Sequence, residues 1–365
     1  MVDEATELAK LRAQIDEIDQ NIQSLINQRA ACAQRVAEVK QAAAGNELVQ
    51  YYRPEREAQV LRAVMERNTG PMPDEDVAKL FREIMSCCLA LEKPMKVAFL
   101  GPEGTYTHAA ALKHFGHFVH AQPMSAIDEV FREVESGQAN YGVVPVENST
   151  EGVVNHTLDS FVNSPLFIAG EVKLRIHHHL LSNDEIKPSD IKRVYSHQQS
   201  LAQCRKWLDA NCPQVERVAV SSNAEAAKLS MKEEGAVAIA GDMAAEQYSL
   251  LKLVENIEDQ PDNTTRFLII GSDVVPASGQ DKTSIMVSAK NKPGALYHVL
   301  EPFHQNDISL TRLETRPSNS GTWAYVFFID FEGHIDDEGV QKVVQQVSPD
   351  AVEIKHLGSY PVGVL

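Results

Sequence analysis

Residues 141–156, YGVVPVENSTEGVVNH, decide how this chain is read. Their first half is a short apolar run, Val143, Val144 and Val146, broken only by Pro145. A β-branched run of this length marks a buried strand of a largely parallel sheet. The composition then switches at once to Glu147, Asn148, Ser149 and Thr150, with Gly152 beyond. In open α/β sheets, ligands sit past the carboxyl ends of strands, where loops and helix N-termini expose donors. Glu147, Asn148 and Ser149 are therefore pocket candidates. The competing reading is that Asn148, Ser149 or Thr150 only caps the helix that follows.

The composition of the whole chain sets bounds around that stretch. At 365 residues there is room for two or three domains with their own cores. A formal charge of −17 argues against a nucleic-acid partner, and an anionic substrate would need its Arg and Lys gathered locally. The start, MVDEATELAK, has neither a basic nor an apolar leader region, and no apolar run reaches the roughly 18 residues that span a bilayer. No membrane association is expected, and a cytoplasmic location is. Five cysteines with no C-x-x-C give neither a disulfide framework nor a zinc site.

Upstream, Leu8, Leu11, Ile15, Ile18, Ile22 and Leu25 repeat at alternating spacings of three and four, and the seam continues through Cys32, Val36 and Val39. This heptad pattern, uninterrupted by Pro or Gly from Glu4 to Ala44, predicts one very long helix. Arg29 falls on the seam, with Arg12 and Lys40 beside it. A second helix is expected from Pro54 to Asn68, with Arg56 and Glu57 one turn before its apolar face. A third, capped by Asp74, is expected to end near Glu92. Three amphipathic helices with charges on or beside their dry faces suggest a buried site for a small polyanion.

Residues 5–92, through LRAQIDEID, LINQRAACAQRVAEVK and YRPEREAQVL, resemble the all-helical chorismate mutases. The resemblance implies that Arg12, Arg29, Lys40 and Arg56 bind the carboxylates and ether oxygen of chorismate. It further implies that Glu57 holds the ring hydroxyl and Glu92 lies at the ether oxygen. Arg53 stands where a carboxylate is frequent in that family, and Cys88 where a serine can stand. The reaction is a unimolecular rearrangement, so no cofactor is expected. Arg12 and Arg29 are seventeen residues apart, about 25 Å along a helix. One chorismate cannot touch both in one chain, so an intertwined homodimer, or a higher assembly, is expected.

After Lys93-Pro94 the period changes. Met95–Leu100 reads as a strand, GPEGTYTHAAA as a turn into a helix, and strands and helices then alternate to Phe267–Ile270. G-x-G-x-x-G is absent, so the turn is no dinucleotide fingerprint, though it can offer helix N–H groups to a carboxylate. His177–His179 alternate faces if they lie in a strand, which argues against a metal site. His197, at a strand end, is either a pocket residue or a helix cap.

GPEGTYTH, VVPVENSTEG, SHQQSLAQC and NTTRF, in that order across 95–272, are similar to the prephenate dehydratases; Gln198 replaces a frequent proline. This implies two α/β lobes around a cleft, as in periplasmic binding proteins. Residues 95–172 and the final strand would form one lobe, and 173–248 the other. The reaction expels a ring hydroxyl together with carbon dioxide, so a proton donor at the hydroxyl should dominate. The resemblance points to Thr265 as donor, whereas acidity alone favours Glu147. Arg266 is either a carboxylate clamp or a salt-bridge partner.

Gly271–Lys282 reads as a linker, and 282–365 as strand-helix-strand-strand-helix-strand, a ferredoxin-like α+β order. Gly294, Ala295 and Leu296, with Glu314, Thr315, Arg316 and Pro317, resemble the GAL and ESRP motifs of the ACT domains of these dehydratases. That implies an interface pocket for phenylalanine; for Gly294 alone, a turn after Pro293 is the competing reading. The expected organisation is therefore a helical mutase domain (1–93), a two-lobed dehydratase domain (95–272) and an ACT domain (282–365). Its substrates would be chorismate and prephenate. The rival is a non-catalytic amino-acid or aromatic-acid binding or sensor protein with a helical dimerisation arm.

Overall fold

The computed structural model describes residues 4–44, 50–289, 292–317, 325–349 and 351–365. The heptad seam produces a single 41-residue helix, α1 (Glu4–Ala44), followed by α2 (Pro54–Glu66) and α3 (Asp74–Glu92). Pro73, not Asp74, holds the N-cap position of α3; Asp74 begins the helix and accepts a hydrogen bond from Asn68 Nδ2 at 2.7 Å. α1 packs on α3 through its C-terminal half, where Ala37 is buried. Its N-terminal seam is uncovered: Ile15 and Ile18 are each 55% exposed.

The first α/β lobe contains β1 (Lys96–Leu100), α4 (Tyr106–Phe115), β2 (His120–Met124), α5 (Ile127–Glu135) and β3 (Tyr141–Asn148). It continues with β4 (Gly152–Val153), α6 (Asn155–Asn163) and β5 (Phe167–Arg175). The second comprises β6 (His179–Ser182), β7 (Arg193–His197), α7 (Gln198–Gln203), α8 (Arg205–Asn211), β8 (Glu216–Val220), α9 (Asn223–Ser230), β9 (Ala236–Ala240), α10 (Asp242–Gln247) and β10 (Leu251–Val254). The chain then returns to the first lobe as β11 (Thr264–Gly271). Strand orders are β2-β1-β3-β11-β5, with β4 on β3, and β10-β6-β9-β7-β8. β5 and β6 are separated at 176–178, where the chain crosses between lobes.

Alternation along the strands gives the first sheet two different faces. Val143, Phe267 and Ile269 pack with Phe115 and with Tyr52 of the helical domain. Val144, Val146, Leu268 and Ile270 point the other way, into a core shared with the C-terminal domain. That domain is β12 (Asp281–Ala289), α11 (Ala295–Gln305), β13 (Leu310–Pro317), β14 (Tyr325–Glu332), α12 (Glu338–Val347) and β15 (Ala351–Pro361). Its antiparallel sheet has the order β13-β14-β12-β15. Met286, Val326, Phe328, Leu357 and Tyr360 reach into the first lobe, while Ile285, Val287, Phe327, Ile329 and Phe331 pack under α11 and α12. Gly358 permits the docking: its φ is +145°, and a Cβ there would lie 2.3 Å from the Ile168 carbonyl oxygen on β5.

Of the expected linker at 271–282, Gly271 belongs to β11 and Asp281 and Lys282 to β12; the stretch 272–280 between them is irregular but held in place. Arg62 of α2 donates to the Ser278 and Gln280 carbonyls (3.2 and 2.9 Å), and Val275 is buried.

Candidate active sites and comparison with known proteins

The two lobes enclose a cleft of about 260 Å³. Asn148 ends β3 and Thr265, the second residue of β11, lies directly opposite it, and Asn148 Nδ2 donates to Thr265 Oγ1 at 2.8 Å. Asn148 is fixed from both ends of its amide. Nδ2 also reaches Asn263 Oδ1 at 3.0 Å, and Oδ1 accepts from the backbone N–H groups of Thr150 and Glu151. Because the Thr265 oxygen is already accepting, its own proton is free to point into the cleft. Ser149 is set back from the cleft: its hydroxyl accepts from Thr264 N–H at 3.0 Å, and its reading as a pocket residue is corrected to a loop clamp.

None of the described residues lining the cleft is Asp, Glu, Lys or Arg. An anion would be met by helix N-termini instead. α4, capped by Thr105, α7, capped by His197, and α9, capped by Ser222, all begin at the cleft wall. Both readings of His197 hold together: its Nδ1 accepts from Gln199 N–H at 3.4 Å, and the residue lines the cleft. The middle histidine of 177–179 also lies here. His178 sits 2.8 Å from both Tyr106 Oη and Gln203 Oε1, and burial depresses its pKa. Gln203, on the second lobe, reaches back to Thr150 Oγ1 at 3.2 Å, tying the lobes together. His177 points elsewhere, to Glu258 at 2.9 Å, and no group of metal-ligating side chains occurs among the described residues. Tyr106, within GPEGTYTH, and Gln199 and Gln203, within SHQQSLAQC, also line the cleft although nothing in their residue types singles them out. The strand-to-helix junctions preceding them were the available signal.

Two candidates prove to face away from the cleft. Glu147 pairs with Arg312 on β13 at 3.2 Å. The register of β3 on β11 slips between Arg266 and Phe267, so that Phe267 pairs with Pro145 while Arg266 pairs with Glu147. This bulge reverses the phase of β3 and gives the cleft position to Asn148. Arg266 is a salt-bridge partner, not a substrate clamp. It donates to Glu171 (2.8 Å), Asp330 (2.6 Å) and Tyr360 Oη (2.9 Å), all buried. Burial opposes its charge, but Tyr360, Asp330 and Glu171 outweigh it and hold its pKa up.

In the helical domain, Arg29 and Lys40 lie close enough to Glu92 to act on its charge, and Lys40 Nζ donates to the Gln50 and Tyr51 carbonyls. Burial raises the Glu92 pKa against the opposing pull of Lys40 and Arg29. Arg56 is exposed, and Arg12 stands on the uncovered half of α1. Glu57 departs from its expected place at the ring hydroxyl. About 100° round α2 from Arg56, it accepts from Arg82 Nε at 3.2 Å and lines a small cavity with Tyr52 and His114 against the dehydratase lobe.

The C-terminal domain carries a separate cavity of about 350 Å³, lined by Gly294, Ala295, Leu296, Thr315, Tyr325 and Phe327. Gly294 has φ +81° and precedes α11, so the turn and the pocket wall are the same feature. Glu314 and Arg316 are not in this wall. They share the opposite face of β13, where Arg316 grips Asp159 of α6 at 2.7 Å.

A two-lobed α/β cleft with a threonine–asparagine floor, backed by a ferredoxin-like domain and preceded by a helical arm, defines a multidomain enzyme of the prephenate dehydratase class. Family models agree: "Chorismate mutase type II" matches residues 11–93, "Prephenate dehydratase" 97–274 and "ACT domain" 283–349. The chain is 62% identical over 364 residues to the bifunctional chorismate mutase/prephenate dehydratase of Stutzerimonas stutzeri, covering 99% of this chain and 100% of that one. Among solved structures it is similar to the prephenate dehydratase of Arthrobacter aurescens in complex with L-Phe (33% identity, TM-score 0.67, 73% of this chain and 90% of that one). It is also similar to GqqA, described as a novel type of quorum quenching acylase (27% identity, TM-score 0.68, 74% and 98%). The chain belongs to the family of bifunctional chorismate mutase/prephenate dehydratases, with both catalytic domains and an ACT domain present.

Proposed function

We propose that the helical domain rearranges chorismate to prephenate, that the cleft converts prephenate to phenylpyruvate, and that phenylalanine bound to the ACT domain restrains the second step. The observation that carries the cleft assignment is the contact of Asn148 Nδ2 with Thr265 Oγ1 on the cleft floor. Thr265 gives its proton to the departing ring hydroxyl. The electrons of the breaking carbon–carboxylate bond flow into the ring, and water and carbon dioxide leave. Asn148 stabilises the oxygen left behind until it is reprotonated. The substrate carboxylates meet the N-termini of α4, α7 and α9.

For the mutase step, Arg29, Lys40 and Glu92 form one half of a site, with Arg56 at its edge. Arg12 comes from the α1 of a second copy. The bare apolar seam of α1 supports this, because Leu11, Ile15, Ile18 and Ile22 are each about half exposed and a partner helix would bury them. Phenylalanine occupies the cavity walled by Gly294–Leu296 and Thr315. A biosynthetic enzyme of this kind works in the cytoplasm. The test is to incubate the full chain with chorismate and follow prephenate and then phenylpyruvate, with and without phenylalanine. A protein that binds these acids but turns neither over would instead be the sensor.

A further inference from the structure

The regulatory sheet touches the effector cavity and the catalytic strands with opposite faces of the same two strands. On β13, Thr315 lines the cavity while Arg312 reaches Glu147 of β3. On β14, Phe327 lines the cavity while Asp330 accepts from Arg266 of β11. Glu147 and Arg266 are cross-strand partners, and so are their chain neighbours Asn148 and Thr265 on the cleft side. One rung of the β3–β11 ladder thus faces the substrate, and the adjacent rung is held by the regulatory domain.

The two holds differ in firmness. Arg266 is clamped by three buried groups and cannot shift without leaving charge unpaired in the core. Glu147 is held by Arg312, with its side chain 42% exposed, next to the bulge where the register of β3 already gives. Arg312 Nη2 is buried with no hydrogen-bond acceptor among the described residues, so a small displacement of β13 could offer it a new partner at the expense of Glu147. Of the two partners on this rung, Arg266 is the firmly held side chain and Glu147 the more loosely held one. A planar peptide unit joins Glu147 to Asn148, so dragging one reorients the other.

We propose that the Arg312–Glu147 ion pair is the adjustable link through which the regulatory domain positions Asn148 against Thr265, so that effector binding on the far face of β13 lowers dehydratase turnover through it. Glu147 and Arg312 are positioning residues, and the proposal rests on the assignment of Asn148 and Thr265 to the dehydratase site. The experiment uses the full chain with Glu147→Gln, Arg312→Gln and the double variant. For each, kcat and KM for prephenate, phenylalanine binding by calorimetry, phenylalanine inhibition and mutase turnover are measured.

Each single variant should bind phenylalanine within about two-fold of the parent yet lose at least about five-fold of its inhibition. Dehydratase kcat should fall about three- to ten-fold with KM little changed, and mutase turnover should hold. The double variant should match the singles, because one link is cut in all three, and Arg312→Lys should restore part of the response. Undiminished inhibition, binding lost in step with inhibition, additive effects in the double variant, or a parent enzyme indifferent to phenylalanine would each overturn the proposal. Thr265→Val separates this outcome from failure of the site assignment: if that variant keeps its turnover the assignment falls, whatever the link variants show.

Discussion

Replacing Thr265 by valine tests the chemistry of the cleft with little disturbance of its architecture. Valine keeps the β-branched shape that suits β11, so the strand and its pairing with β3 and β5 should persist. The substitution removes one acceptor, at 2.8 Å from Asn148 Nδ2. That amide keeps Asn263 Oδ1 at 3.0 Å, and its oxygen keeps two backbone donors. The folding cost should therefore be about 1 kcal/mol, that of a single hydrogen bond whose donor is not orphaned. The cost to the reaction should be larger, because hydroxide is a poor leaving group and, among the described lining residues, no carboxylate stands ready to replace the hydroxyl. A loss of about 10²-fold in kcat, equivalent to about 2.7 kcal/mol, is expected. KM for prephenate should change little if the hydroxyl acts chiefly in the transition state. The assay is phenylpyruvate formation from prephenate, with chorismate consumption by the same preparation as an internal control of folding. Dehydratase turnover within about three-fold of the parent, with normal mutase turnover, would refute the role given to Thr265.

Arg12→Ala and Arg29→Ala homodimers should each be poor mutases, whereas verified heterodimers of the two should regain about half of the parent activity, one site of two being intact; no recovery would argue against sharing across chains. Mutase kcat should fall as pH rises through the raised Glu92 pKa, because the ionised carboxylate cannot donate to the ether oxygen. Glu92→Gln should flatten that profile, and a shared alkaline limb in the two pH–rate curves would remove Glu92 from the ether oxygen. Gly358→Ala should unseat the C-terminal domain at a cost of about 2–4 kcal/mol, because the added carbon meets the Ile168 backbone and the φ is strained. Urea unfolding with an unchanged midpoint would show that β15 can retreat from β5.

The sequence made the architecture legible where a period is long or a motif sits at a strand end. The seam from Leu8 to Val39 yielded α1, and the switch from heptads to short apolar runs after Pro94 located the change to α/β structure. It could not show what each domain rests on. Tyr52 and Arg82 are committed to the dehydratase lobe, through Phe115 and the Lys113 carbonyl, and these contacts draw Glu57 to that side of α2. A helical wheel places Glu57 next to the apolar face but cannot say which neighbour that face meets. The same holds for β13. Its alternation separates Thr315 from Glu314 and Arg316, yet only the docked partner reveals that one side is a cavity and the other an ionic contact with α6.

The case of Glu147 is different, because there the simplest rule points the wrong way. Along β11, strict alternation groups Thr265 with Phe267 on the cleft side and Arg266 with Leu268 on the other, as the structure has it. Applied to β3 from Pro145, which also lines the cleft, the same rule puts Glu147 in the pocket and Asn148 behind it. One bulge exchanges them. A carboxylate that would have faced the cleft, where no Lys or Arg occurs among the described lining residues, is turned to Arg312, and a neutral amide takes its place beside Thr265. The exchange has an electrostatic sense: an ionised Glu147 inside would repel a dicarboxylate substrate and would make Thr265 a weaker acid, whereas an amide N–H aimed at its oxygen makes it a stronger one. The extra residue in β3 thus does chemical work that no hydrophobic pattern records, and it leaves the displaced carboxylate where the regulatory domain can hold it.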